Sequence, residues 1–121
     1  MNFLRAARDE VKVLLKDAGV VYEYIPERIT PPCFIIAPGS PYVGEGTTFT
    51  DFRVRFEVIA LSGKATNDQE TDAIDSLISD AIDALETWFI DGVETPSQFE
   101  LNNAAYLGTR INISADKELI N

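Results

Sequence analysis

The chain contains no histidine. That absence excludes Ser-His-Asp hydrolysis, Cys-His proteolysis, histidine-ligated zinc and imidazole acid–base chemistry together. It contains one cysteine, Cys33, so no intrachain disulfide can form and folding must rest on packing. No apolar run approaches the ~20 residues that a membrane-spanning helix needs. The first ten residues carry Arg5, Arg8, Asp9 and Glu10, a charge density that leaves no room for the apolar region of a signal peptide. Basic residues are also missing over a long stretch. Between Ala65 and Thr109 there is no Lys or Arg, while ten acids occur, which equals the entire formal net charge of -10. A chain with this balance is a poor phosphate binder, because nucleic-acid contacts need clustered Lys and Arg.

What remains is ordinary globular material. With 121 residues, 45% of them hydrophobic and 25% charged, the composition fits one domain over residues 1–121. The first element reads as a helix from Asn2 to Ala18. Phe3, Leu4, Ala7, Val11, Leu14, Leu15 and Ala18 recur at helical spacing, Asn2 suits an N-cap, and Gly19 suits a left-handed stop. Arg5, Arg8, Lys12 and Lys16 fall on one side as a basic stripe. Such a stripe is ordinarily a solvated flank; the sharper reading is a docking face for an acidic neighbour.

Val20–Ile25 is a short β-rich run, followed by a stiff connector through Pro26, Pro31 and Pro32. Cys33–Ala37 is apolar throughout, as in a strand covered on both faces. Cys33 reads as core filling. From Pro38 to Thr48, repeated Pro and Gly predict a long loop. Within it Ser40, Pro41, Tyr42, Val43, Gly44 and Glu45 are candidate assembly contacts, since tyrosine suits surfaces that are half apolar and half wet. Its glycines form neither a nucleophile elbow nor a phosphate-binding loop.

Phe49–Leu61 alternates clearly. Phe52, Val54, Phe56, Val58 and Ala60 share one face; Arg53, Arg55, Glu57, Ile59 and Leu61 share the other. The second face is charged first and apolar later, which predicts a sheet wet at one end and covered at the other. After a polar connector, which Asp68 or Thr71 ends as a cap, Ile74, Leu77, Ile78, Ala81, Ile82, Leu85, Trp88 and Phe89 predict a helix running to Ile90 and stopped by Gly92. Ile78 and Ile82 are expected to pack on Val54 and Phe56. Asp72, Asp75, Asp83 and Glu86 form an acidic stripe on its opposite side. Asp83 and Glu86 oppose the helix dipole, a cost of a few tenths of a kcal/mol to ~1 each. Read as a metal site these acids lack a converging loop, since Asn67–Glu70 has no EF-hand glycine. Two final strands are expected around Asn102-Asn103, a favourable turn pair. The expected class is α+β: a mostly antiparallel or mixed sheet of about five strands with two helices on one face, in the order α-β-β-β-α-β-β.

The run Pro26-Glu27-Arg28-Ile29-Thr30-Pro31-Pro32, the apolar strand, Pro38-Gly39-Ser40-Pro41-Tyr42, then Phe52–Val58, the Asn67 linker and Tyr106-Leu107 together resemble the tail terminator proteins of long-tailed phages with non-contractile tails. The resemblance spans nearly the whole chain, and its motifs are structural. It implies a virion protein without enzyme activity or cofactor, assembled in the host cytoplasm and placed at the tail–neck junction. A ring of about six copies would cap the tail tube, stop its polymerisation and join it to the neck. The implied partners are further copies of the chain, the major tail tube protein and a neck or head-completion protein; DNA would pass without specific binding, and no membrane is involved. Competing readings are another neck protein (head completion or stopper), an acidic metal-binding or enzymatic domain, and a monomeric adaptor. Within a ring, the acidic stripe would either line the lumen or meet the basic stripe of a neighbouring copy.

Overall fold

The computed structural model describes residues 2–63 and 68–118. Asn2 opens helix α1 (Phe3–Leu15) in extended backbone geometry, its side-chain oxygen accepting from the Arg5 backbone N–H at 2.9 Å. This satisfies one of the donors a helix start leaves open, worth about 1 kcal/mol. α1 stops short of Ala18 in a turn, and Gly19 is not left-handed; no glycine with positive φ occurs among the described residues. Ala7, Val11 and Leu15 form its buried stripe.

Strands β1 (Val20–Tyr22), β2 (Cys33–Glu45) and β3 (Asp51–Gly63) follow, then helix α2 (Asp68–Ala84), and then β4 (Phe89–Val93), β5 (Ser97–Leu101) and β6 (Ala104–Glu118). They build one mixed six-stranded sheet in the order β1-β2-β3-β6-β4, with β5 also on β6. Only β1–β2 is parallel; every other pairing is antiparallel. The class is α+β as expected, with one more strand.

That strand is β4, and it comes from residues assigned by periodicity to the end of the second helix. α2 ends at Ala84, and the chain turns through Leu85–Thr87 before pairing Phe89 with Ser114 and Ile90 with Ile113. Glu86 therefore lies beyond the helix. Asn102 and Asn103 adopt positive φ, 52° and 64°, in the two-residue turn between β5 and β6. This is the hairpin geometry that asparagine tolerates best. Thr71 lies inside α2, and the 64–67 connector with Asn67 lies outside the described residues. The alternative cap, the Asp68 side chain, lies outside them as well.

Both helices cover one sheet face. Val54, Phe56 and Val58 of β3 meet Phe34 and Ile36 of β2, Ile111 and Ile113 of β6, and Ile74, Leu77, Ala81 and Leu85 from α2 and its turn. Burying each such aliphatic or aromatic side chain contributes about 1.5–3 kcal/mol. Trp88 closes this core: its ring lies 5.8 Å from Phe56, and its Nε1 donates to Glu10 at 2.7 Å. Lys117 reaches the same carboxylate at 2.7 Å while lying over the indole.

The other sheet face is divided as β3 predicts. Ile59 and Leu61 join Ile29, Cys33, Ile35, Phe99 and Tyr106 in a second cluster. The connector through Ile29 covers that half, held by Asn102, whose amide donates to the Pro26 and Glu27 carbonyls at 2.6 and 3.1 Å. Arg53, Arg55 and Glu57 occupy the uncovered half. Ile82 departs from expectation. It is 38% exposed, because the buried stripe runs through Ile74, Leu77, Ala81 and Leu85 and leaves Ile82 on its flank. Ile78 is partly buried against the core.

Candidate assembly surface

The segment expected to be a long loop is mostly strand. Ser40–Glu45 belongs to β2, with Val43 opposite Val54, Gly44 opposite Arg53 and Glu45 opposite Phe52. The glycines and prolines mark an irregularity instead: the register shifts between Pro38 and Val43, and the Ser40–Pro41 peptide is cis. A proline has no donor to give a ladder, so it is accommodated where a strand faces solvent or bulges. β1 covers β2 only along Cys33–Ile35, so the rest of that side is a free edge. The true turn of the β2–β3 hairpin is residues 46–50, carrying a fully exposed Phe49 over an open hollow of about 450 Å³. The hollow is lined by Glu45, Thr47, Thr48, Asp51 and Phe52.

Gly39 and Gly46 are required by close approach rather than by unusual φ. A Cβ at Gly39 would lie 2.8 Å from the Arg55 backbone, and one at Gly46 2.7 Å from Asp51. The turn is tied to β6 by Asp116, which accepts from the Thr47 hydroxyl and, at 3.0 Å, from Arg53 Nε. The Thr47 hydrogen bond, then Arg53, hold the Asp116 carboxyl below its ordinary value of 3.8.

Tyr42 is half-buried, not a free tip residue. Its ring meets Phe56 edge-on at 5.8 Å and its hydroxyl accepts from Arg8 at 2.7 Å. Arg8 thus turns inward over Phe56 and leaves the solvated stripe expected of it. The rest of the basic stripe is exposed, yet Arg5 and Lys12 both lean on one carboxylate, Glu23, at 3.1 and 4.0 Å. Lys16 is exposed at the end of α1. Asp72, Asp75 and Asp83 are exposed along α2, and Glu86 is exposed in the following turn.

α1 packs on β1 and β2, whereas α2 packs on β3 and β6. Arg5 and Lys12 therefore lie toward the β1 side of the helix layer, and Asp72 and Asp75 stand on the helix over β3 and β6, while Asp83 lines the groove between the helices with Asp80, Leu14 and Asp17. At the sheet edge β4 adds Asp91, exposed, and Phe89, whose ring lies under Arg53 at 5.0 Å while remaining 58% exposed. Glu94 follows, held near Arg110 at 3.6 Å. The sequence pattern hid Phe89 and Asp91 as surface residues, because Phe89 also fits the helical stripe. The one local warning was Asp91-Gly92, a weak turn signal.

Cys33 is fully buried, and burial pushes its thiol up to about 11, so it is inert filling. Among the described residues, no three acids or thiols gather as a metal-binding group. None of the described helices is long and apolar enough to cross a membrane. The chain matches no protein-family model and no curated protein sequence.

Proposed function

We propose that this chain is a structural subunit that closes into a ring by head-to-tail contact, in the role of a phage tail terminator. One observation carries the reading: the two halves of the helix layer differ in charge, with Arg5, Lys12 and Lys16 on α1 over β1 and β2, and Asp72, Asp75 and Glu86 on α2 and its following turn over β3 and β6. Identical copies that present unlike, complementary sides associate heterologously, and such contacts close into rings when the rotation between neighbours permits. Charge complementarity of this kind sets register and encounter rate more than raw affinity. The resemblance of the Pro26–Tyr42 and Phe52–Val58 runs to tail terminators supplies the biological setting: a ring of about six copies between tail tube and neck.

In that setting the major tail tube protein and a neck protein bind the two faces of the ring, and DNA crosses its lumen. The acidic α2 stripe serves the contact between copies, because a helix layered outside the sheet reaches a neighbour more readily than an inner channel. The test is size and capping together. Light scattering should show a closed oligomer, and adding it to polymerising tube protein should stop tube growth. A strict monomer at every concentration, with tube length unaffected, refutes the reading.

A further inference from the structure

The free edge of β2 and the free edge of β4 are suited to each other, and both are incomplete in a single subunit. β2 and β6 run the same way, since each is antiparallel to β3, and β4 runs opposite to β6. A neighbour placed by rotation about an axis along the strands therefore brings β4 antiparallel to the next copy's β2. The levels also agree. Through Ser114 and Arg55, Phe89 lies on the row of the β2 bulge, and Val93 lies on the row of Ile36.

The β2 side carries two incompletely satisfied cations. Among the described residues, the buried side-chain nitrogens without a hydrogen-bond partner are Arg8 Nε and Arg55 Nη1. Both arginines flank the same stretch, Arg8 at Tyr42 on the helix face and Arg55 beside Gly44 on the open face. Arg55 lines a hollow of about 220 Å³ with Gly39, Ser40 and Asp91 of its own chain, and no carboxylate, Asp91 included, lies within ion-pair distance of it among the described residues. Each arginine thus keeps one buried nitrogen that a neighbouring acceptor could satisfy.

The β4 side offers apolar and acidic side chains. Glu86 is exposed, Asp91 accepts from its own Ser114 hydroxyl at 3.1 Å, and Phe89 and Val93 are exposed apolar residues on a strand edge that carries neither lysine nor proline. Bare edges of this kind are normally blunted or covered. Prolines 38 and 41 withhold donors on the β2 side, so the contact is made by side chains more than by a continuous ladder.

We infer that β4 of one copy docks antiparallel against the Pro38–Glu45 edge of the next, with Phe89 as its apolar anchor and Glu86 facing the neighbour's Arg8. This rests on the head-to-tail reading above and names the surfaces that perform it. The partner is a second copy of this chain.

Site-directed cross-linking tests it. Ser40 is exposed, and a side chain at Gly92 meets nothing within 4 Å, so Ser40→Cys and Gly92→Cys are tolerated positions. Native Cys33 is fully buried and silent to a short bis-maleimide at neutral pH. The chain carrying both substitutions should give a ladder ending at the closed oligomer. A mixture of the two single variants should stop at dimers, and each single variant alone should remain unlinked. Oligomers that form without the Ser40–Gly92 link, or that link Gly92→Cys to itself, overturn this interface and leave the ring reading standing. Protein that stays monomeric throughout overturns both.

Discussion

Ile74 and Ile82 stand two turns apart on α2, share one chemistry, and differ in burial: Ile74 is 0% exposed and Ile82 38%. Truncating each to alanine measures which side of the helix faces the sheet. At Ile74 each removed carbon is worth ~0.8 kcal/mol of transfer. The site is closed on all sides, so a cavity remains and the total reaches about 2–5 kcal/mol. At Ile82 solvent already reaches the side chain and no cavity forms; the expected cost is about 1 kcal/mol or less. With a urea dependence of about 1–3 kcal/mol per M, Ile74→Ala should lower the unfolding midpoint by roughly 1 M or more, and Ile82→Ala by a fraction of that. The assay has a built-in probe, because the chain's single tryptophan, Trp88, sits in the same core. Equal midpoint shifts for the two variants, or a larger one for Ile82→Ala, would refute the orientation assigned to α2. An Ile82→Ala variant that keeps its stability but loses oligomers would instead place that exposed flank in a contact between copies.

Three further outcomes are expected. Gly108→Ala should destabilise by about 1–3 kcal/mol in the same assay, because its Cβ would fall 2.6 Å from Leu61 and 2.8 Å from the Ala60 carbonyl. Asp116, held below 3.8 when folded, contributes stability that is fully present above that value and is lost as pH falls through the lowered one. An acid titration followed by NMR at Thr47 should show this loss, and Asp116→Asn should flatten it; an unchanged titration would remove Asp116 as the tie of the hairpin turn. Assembly should weaken as salt rises past ~0.15 M, where the Debye length falls to about 8 Å, and fail with Asp75→Lys plus Asp83→Lys. Light scattering that shows oligomers persisting through both changes would argue against an electrostatic contact between copies.

Alternation in β3 was readable to the residue, because a half-covered strand prints its two environments on odd and even positions. Arg53, Arg55 and Glu57 against Ile59 and Leu61 gave both faces of the sheet and the place where cover begins. The two helices were legible for a similar reason, and the asparagine pair gave its turn. Misreadings share a different origin. Leu85 and Trp88 continue the apolar spacing of α2 after its hydrogen bonding has stopped, since a turn and a short strand can deliver side chains to the same core. Pro38, Gly39 and Pro41 signal irregular backbone, and local chemistry does not separate a loop from a bulged edge; that difference is decided by β3 lying alongside. The charge stripes were visible as spacing, whereas Arg8 turning onto Tyr42 and Phe56 depended on long-range packing that no local pattern encodes.

β6 bears on how a subunit comes into existence on the ribosome. It pairs with β3 along one side and with both β4 and β5 along the other, and it is synthesised after all of them. Until it emerges, β4 and β5 have no strand to join, and β3 holds only the β2 hairpin. The helices then lack Ile111 and Ile113 beneath them. At translation rates of about 5–20 residues per second the chain spends seconds with a hairpin, two helices and no closed core. Pairings between residues as far apart as Asp51 and Glu118 carry a large loop-closure cost and fold slowly. The β4 edge therefore does not exist as a surface before β6 has docked. In the proposed ring, only finished subunits would offer a neighbour both edges, which would protect assembly from nascent and truncated chains without any dedicated inspection step.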